Sequence, residues 1–246
     1  MCTPEPVENP RDFSQNTTIL EKYPKLLALR EHLIKNGVDF KANDNISAWI
    51  TEEIQEEMMR ATEDACANLF NVLMIDVKND HNTKDTPHRM AKMFLNETMV
   101  GRYEELPRIT EFPNASNLDQ MIMVRSIRVE SMCSHHIQNI RGVCHIAVMP
   151  KEDGKVIGLS KFSRLVNHIA RRPQIQEELT SQIADALEDL LECEGIAVVV
   201  RAEHQCMSVR GVEEPDADTI TSVMRGCYRE NPTYKDEFFR LLGDKL

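Results

Sequence analysis

The sequence predicts an α+β fold, in which helices pack on one side of an antiparallel β-sheet and a helical extension precedes them at the N-terminus. Two segments with strand character, residues 121–131 and 142–149, follow each other in hairpin-like succession. Segments in which apolar residues recur at helical spacing lie before this pair and after it. Strands that are grouped in this way, apart from paired helices, favour an antiparallel sheet.

The N-terminal part of the chain, residues 1–46, is predicted to be an extension of a main domain at residues 47–246. Residues 1–16 are rich in proline, asparagine and acidic side chains, which predicts a mobile segment. An amphipathic stretch at 26–34 then indicates one short helix.

The main domain opens with two predicted helices. Thr51 can cap the first, which continues at helical spacing to residue 73. A polar loop at 79–84 follows, and Thr86-Pro87, a capping residue before a proline, begins the second helix.

Helices and one more strand follow the predicted strand pair. Apolar spacing predicts a helix over 159–169 that Pro173 ends, and a further helix that Pro173 opens and Gly195 ends. The segment 196–209 has strand character, and 238–242 indicates a last short helix.

The composition argues against several classes of function. The 246 residues carry 29 basic and 40 acidic side chains, and the net charge of −11 argues against a protein that binds nucleic acid or anionic membranes. No apolar run reaches the roughly 18–20 residues that span a bilayer, and the N-terminus lacks a signal-peptide pattern. We therefore expect a cytoplasmic protein whose seven cysteines are reduced, so that grouped cysteines favour metal binding or catalysis over a disulfide.

The spacing Cys133-x-x-His136 can place a thiolate and an imidazole, the preferred ligands of Zn²⁺, on one metal ion. Cys206 is the best third candidate, because alternation along the predicted strand 196–209 puts it on the same face as His204. Two cysteines and one histidine would leave one position open, as a catalytic zinc site requires. The same residues are compatible with a structural zinc site of four ligands, or with ordinary buried cysteines and scattered histidines.

Three further residues are candidates for catalysis or base recognition. His135 and His204 each lie beside a proposed ligand and could transfer protons near neutral pH. Glu177 is predicted in the first turn of a helix, where its carboxylate suits the helix dipole. The same carboxylate could accept two hydrogen bonds from one edge of a guanine, and spacing alone leaves both interpretations open.

Basic residues at several points suggest a phosphate pocket in an otherwise acidic chain. Ser160 lies at the start of a predicted helix, where free backbone N–H groups attract anions. The candidate cations are Lys161, Arg164, Arg210, Arg89 and Lys92. A solvated helix face is the alternative interpretation.

Together these residues resemble the GTP cyclohydrolase I family. The similarity covers residues 51–242 and is carried by five motifs in the family's order. They are residues 85–93 (DTPHRMAKM), 131–136 (SMCSHH), 157–161 (IGLSK), 172–177 (RPQIQE), and 203–207 (EHQCM) with 209–212 (VRGV).

The resemblance implies a T-fold, an antiparallel sheet with helices on one side that assembles side by side into barrels. It also implies a ring-shaped homo-oligomer, typically a decamer of two pentamers, with active sites at subunit boundaries. The substrate would be GTP and the cofactor Zn²⁺, and no nucleic acid or membrane would be involved.

The resemblance also implies a role for each motif residue. The zinc ligands would be Cys133, His136 and Cys206. The catalytic residues would be His135 and His204, which transfer protons, and Ser160. The substrate would be bound by Glu177, which holds the guanine, by Gln176, and by Lys161, Arg164 and Arg210. Arg89 and Lys92 match positions that approach the triphosphate from a neighbouring chain.

Two positions depart from the family pattern. Ser134 stands where the family usually has glutamate, so a carboxylate that would orient a ligand or a water is missing. Met224-Arg225 precedes Gly226, where the family is often smaller and uncharged.

By this resemblance the chain hydrolyses GTP to 7,8-dihydroneopterin triphosphate and formate, the first step of a pterin, folate or 7-deazaguanine route. The alternative is a non-catalytic purine- or pterin-binding protein of the same fold, since fold alone does not determine function. Such a protein would have no use for two histidines beside a zinc with three ligands. A zinc nucleoside deaminase fits less well, because its His-x-Glu and Cys-x-x-Cys pair are absent from these motifs.

Overall fold

The computed structural model describes residues 17–243, and these residues form two compact units. The first, here called the helical unit, comprises residues 17–39 and 49–93; the second, the sheet unit, comprises 40–48 and 94–243. The segment 1–16, predicted to be mobile, lies outside the described residues. No helix within 17–243 combines the length and the apolar character that a membrane span requires.

The helical unit consists mainly of three α-helices: α1 (Pro24–Lys35), α2 (Glu52–Val72) and α3 (Thr86–Met93). The predicted start of the long helix is confirmed, because the Thr51 hydroxyl accepts a hydrogen bond from the backbone N–H of Ile54 at 3.4 Å. The buried carboxylate of Glu57 on α2 accepts the free N–H groups of Lys25 and Leu26 at 2.9 and 3.0 Å. It therefore satisfies donors that the first turn of α1 cannot pair internally.

The sheet unit contains seven strands and five α-helices in its described residues. The strands are β1 (Glu111–Pro113), β2 (Ile122–Cys133), β3 (Asn139–Pro150), β4 (Lys155–Ile157), β5 (Pro173–Gln174), β6 (Cys193–His204) and β7 (Thr219–Gly226). The helices are α4 (Leu159–Ala170), α5 (Gln176–Leu190), α6 (Gln205–Ser208), α7 (Cys227–Glu230) and α8 (Pro232–Leu242). Three short 3-10 helices (Leu20–Lys22, Ser47–Trp49 and Val100–Arg102) and a π-helix (Phe94–Thr98) complete the two units.

Five strands form the main sheet in the order β5-β2-β3-β6-β7, and β1 pairs separately with β4. Every neighbouring pair is antiparallel except the two-residue β5, which runs parallel to the end of β2. Residues at alternate positions of β3 and β6 face α4 and α5, where Ile146 and Val198 pack against Leu165 and Ile183. The predicted α+β class, with an antiparallel sheet and helices against one face, is confirmed.

The other face of the sheet is also partly covered, which the sequence analysis did not predict. Ala147 and Val199, at the intervening positions of β3 and β6, pack in one cluster with Tyr228 of α7 and Phe238 and Leu242 of α8. The predicted last helix therefore exists, and it closes a second, smaller core.

Two predicted boundaries are wrong. Pro173 does not open a helix: it pairs with Met132 in the register of β5, and α5 begins only at Gln176. The strand predicted over 196–209 ends at His204, because the chain turns there into the short helix α6. The strand β7, which contains three threonine and serine residues, was not predicted.

Candidate active site

A cleft of about 400 Å³ lies in the sheet unit where β2 and β6 end and α5 begins. Seven of the predicted site residues line it: Cys133, His135, His136, Gln176, Glu177, His204 and Cys206. Residues that are more than 70 positions apart in the sequence are thus brought to one place by the sheet. The cleft is also lined by Gln174, Ile175, Met207 and Thr219, which the sequence analysis did not single out.

The turn between β2 and β3 presents two of the proposed ligands. It is closed by two backbone hydrogen bonds, from the N–H of Cys133 to the carbonyl of Gln138 at 2.7 Å and from the N–H of Ile137 to the carbonyl of Cys133 at 2.9 Å. Ile137 has a φ of 54°, a conformation that is unusual for a β-branched residue. Cys133 is 5% exposed at the base of the turn, whereas His136 is exposed.

A neighbouring strand holds this turn in place. The N–H of Ser134 donates to the carbonyl of Gln174 at 3.0 Å, and Cys133 lies opposite Gln174 in the parallel pairing. The side-chain amide of Gln174 is fully buried and donates to the carbonyl of Ile169 and the side chain of Gln182, each at 3.0 Å.

Cys206 completes the ligand group from the other side of the cleft. It lies on α6, so the alternation argument that placed it on a strand face with His204 is wrong in its geometry. The ligand atoms of Cys133, His136 and Cys206 nevertheless all lie within 4.8 Å of one another. Burial raises the pKa of the Cys206 thiol, and the adjacent Cys133 raises it further. Two thiols held this close are costly to ionise together without a cation between them.

His135, the first candidate for proton transfer, lies on the turn between β2 and β3, here called the ligand turn, and is exposed. His135 and His136 are both exposed, and their ring centroids lie 6.2 Å apart with the ring planes at 83°. The two ring planes are therefore nearly perpendicular, and both side chains line the cleft.

The second candidate for proton transfer is held by the start of α5. His204 Nε2 lies 2.7 Å from Oε1 of Gln176. Burial lowers the pKa of His204, and the negative charge of Glu177 acts in the opposite direction. Glu177 itself is exposed in the first turn of α5.

The predicted phosphate-binding residues of the sheet unit lie outside the cleft. Lys161, Arg164 and Ser160 belong to α4, where Lys161 Nζ donates to the carbonyl of Arg108 at 3.2 Å. Arg210 follows α6 and is exposed, and its charge acts against the burial that raises the pKa of Cys206. Within the described part of the sheet unit, none of these four side chains lines the cleft.

The remaining two cations belong to the helical unit. Arg89 and Lys92 lie on α3 with exposed side chains, and Arg89 Nη2 is 3.8 Å from the carboxylate of Asp85. Their roles toward a triphosphate stay predictions.

One of the two departures from the family pattern has a clear local partner. Arg225 on β7 forms ion pairs with Asp185 and Glu188 of α5, so its charge is balanced across the sheet–helix interface. Ser134, the other departure, is half-buried and contributes its backbone N–H to β5.

Comparisons with known proteins agree with these motifs. A family model described as GTP cyclohydrolase I matches residues 62–243. GTP cyclohydrolase 1 of Corynebacterium glutamicum (strain R) is 40% identical over 183 residues, which are 73% of this chain and 93% of the relative. GTP cyclohydrolase 1 of Vibrio campbellii is 38% identical over 185 residues, with 75% and 84% covered. GTP cyclohydrolase 1 of Aliivibrio salmonicida is 36% identical over 214 residues, with 86% and 94% covered.

A solved structure, described as the crystal structure of the archaeosine synthase QueF-Like in the apo form, aligns with a TM-score of 0.34 and 14% identity, over 43% of this chain and 93% of that chain. At that level of similarity no conclusion about this protein follows from it. The family match covers more than half of the chain, and the relatives exceed 30% identity over most of their own length. The chain therefore belongs to the GTP cyclohydrolase I family.

Proposed function

We propose that this protein hydrolyses GTP to 7,8-dihydroneopterin triphosphate and formate with the help of Zn²⁺, as the first step of a pterin, folate or 7-deazaguanine route. The observation that carries the proposal is the convergence of Cys133, His136 and Cys206 on one point of a cleft that His135 and Glu177 also line. Membership of the family and the names of the relatives support the substrate.

The donor set fits Zn²⁺. Two thiolates and one imidazole are preferred ligands of this ion, and three protein ligands leave one position for water or substrate. The close approach of Cys133 and Cys206 supports this fit, because a bound cation would stabilise both thiolates at once. When bound, Zn²⁺ would lower the pKa of a water molecule toward neutrality.

Glu177 is the residue that would select the base. Its carboxylate is exposed at the start of α5 and lines the cleft. A carboxylate accepts hydrogen bonds but cannot donate them when ionised, so it matches the ring N–H and the 2-amino group of guanine. Adenine lacks both donors on that edge, and it would leave the carboxylate unpaired.

The two histidines would move the protons. His135, on the ligand turn, would protonate N7 of the guanine as water adds at C8. A second hydrolytic step would release C8 as formate, and the opened ribose would rearrange and close onto the pyrimidine ring with loss of water. His204, on the opposite wall, is the partner for later proton transfers, since imidazole can accept and donate near neutral pH.

We further propose that the working enzyme is a homo-oligomer, and a decamer is the expected form. Within one sheet unit the predicted phosphate ligands do not line the cleft. A triphosphate carries about four negative charges, and a chain with a net charge of −11 would repel it without several cations nearby. Cations supplied by neighbouring chains would complete the site, and ring closure would pair the sheet edge at β7.

The direct test is to incubate zinc-loaded protein with GTP and to measure formate together with the fluorescent, oxidised pterin. Formation of both in equal amounts supports the proposal. Binding of GTP without release of formate would instead support the non-catalytic binding protein.

The proposed metal site predicts that one substitution abolishes zinc binding. Cys206→Ala should abolish stoichiometric zinc binding, because it leaves only Cys133 and His136 as ligands. Metal content after dialysis against a weak chelator measures this. Cys193→Ala is the matched control, since Cys193 is a partly buried cysteine on β6 outside the cleft, and it should keep its zinc. Full zinc occupancy in Cys206→Ala would contradict the ligand set.

The proposed role of Glu177 in selecting the base predicts that removal of its charge lowers the turnover of GTP. Glu177→Gln should lower kcat/KM for GTP by about 10–100-fold, because a hydrogen bond to a charged group contributes about 1.5–3 kcal/mol. Asp189→Asn, which removes one exposed charge from the same helix, should change it little. Equal turnover of ATP and GTP by the unmodified protein would refute the assignment.

Assembly predicts complementation between chains. Arg89→Ala and Arg210→Ala should each be nearly inactive, and their co-expression should restore part of the activity, because some mixed interfaces carry both arginines. Arg210→Ala with His204→Ala is the control pair and should not recover, since both residues would come from the same chain. A fully active monomer of about 28 kDa in light scattering, or no recovery after demonstrated subunit exchange, would contradict shared sites.

A further inference from the structure

Gln176 is a buried polar residue with an unusually complete set of partners. It is the first residue of α5 and is 1% exposed, although glutamine is mostly found on protein surfaces. Three acceptors share the two hydrogens of its amide nitrogen: the carbonyl of Val200 on β6 at 3.0 Å, the carbonyl of Thr219 on β7 at 2.8 Å, and Oγ1 of Thr221 at 3.2 Å.

These contacts determine which way the amide faces. Backbone carbonyls can only accept hydrogen bonds, so the group that faces Val200 and Thr219 must be the NH₂ end. The oxygen end then faces His204, with Oε1 at 2.7 Å from Nε2. An amide oxygen can only accept, and the ring atom opposite it must therefore carry a hydrogen.

We propose that Gln176 is a positioning residue that holds His204 as the Nε2–H tautomer and leaves Nδ1 as the ring atom that can accept a proton. This inference rests on the proposed function, in which His204 moves protons during GTP hydrolysis. The tautomer of a histidine is set by the hydrogen bond that its other nitrogen makes. All donors of the Gln176 amide are engaged within the protein, so a side-chain bond to the substrate would have to replace one of them.

A purely structural role is the competing explanation. Gln176 joins the start of α5 to β6 and β7. Thr180, one turn later in α5, donates its hydroxyl to the Gln176 carbonyl at 2.8 Å and belongs to the same junction because its hydroxyl lies 2.5 Å from Oγ1 of Thr221 on β7. Thr180 is equally buried, but its hydroxyl does not contact the Gln176 amide or His204. Thr180→Val is therefore a matched control: it loosens the junction at Thr221, while the two carbonyl acceptors of the Gln176 amide and the bond to His204 stay in place.

The first test determines the tautomer of His204 and needs no measurement of activity. In protein labelled with ¹⁵N-histidine, the His204 signals, assigned by their absence in His204→Gln, should show hydrogen on Nε2 in the wild type and in Thr180→Val. Gln176→Met should lose this preference. An Nδ1–H ring in the wild type would overturn the proposal even if Gln176→Met failed to fold.

The second test separates positioning from stability. Gln176→Met should lower kcat for GTP by at least about tenfold and by no more than His204→Ala, whose loss should be about 10²–10⁴-fold. KM should change by less than about threefold, because the substitution removes no interaction that binds the substrate in its ground state. An equal loss of kcat in Thr180→Val, or an unchanged kcat in Gln176→Met, would overturn the proposal. A wild type with no turnover would contradict the proposed function, whereas the tautomer signal would still report on Gln176.

Discussion

The candidate site depends on one short stretch of parallel pairing, in which β5 lies against the last residues of β2. The register places Cys133 opposite Gln174, and the N–H of Ser134 donates to the Gln174 carbonyl. Neighbouring strands lie about 4.8 Å apart, so the ligand turn and the start of α5 are spaced by backbone geometry and not by flexible side chains. The Gln174 amide, which also accepts a bond from Asn43 at 3.2 Å, locks this strand into the buried interior.

The opposite wall of the cleft is built by the longest antiparallel pairing of the sheet. Ile140 of β3 lies opposite His204, so the end of β6 reaches the level of the ligand turn. The chain then bends into α6, and this bend carries Cys206 into contact range of Cys133. Two of the proposed ligands, Cys133 and Cys206, pack with Ile140 and Ala202 in a small apolar cluster. Such packing limits the movement of the ligands and keeps their geometry set before a metal ion arrives.

The sequence predicts the fold and the site to different degrees, for physical reasons. Helices with clear caps, such as the one that Thr51 begins, follow from local hydrogen bonding and are confirmed. The bend after His204 could not be predicted, because it depends on how β6 pairs and not on the residues at 204–206 alone. The strand β7 was missed since its apolar residues are few, although threonine, valine and isoleucine favour strands. The buried contacts of Gln176 involve β6 and β7, and no local pattern could reveal them.

Spectroscopy of the metal tests the central claim most directly, because the proposed chemistry requires one ion held by two sulfurs and one imidazole. X-ray absorption at the zinc edge of the loaded protein should show two sulfur atoms at about 2.3 Å and two nitrogen or oxygen atoms at about 2.0–2.1 Å. One of the lighter atoms would be His136, and the other would come from outside the chain. A shell of four protein ligands, or one without sulfur, would contradict the account.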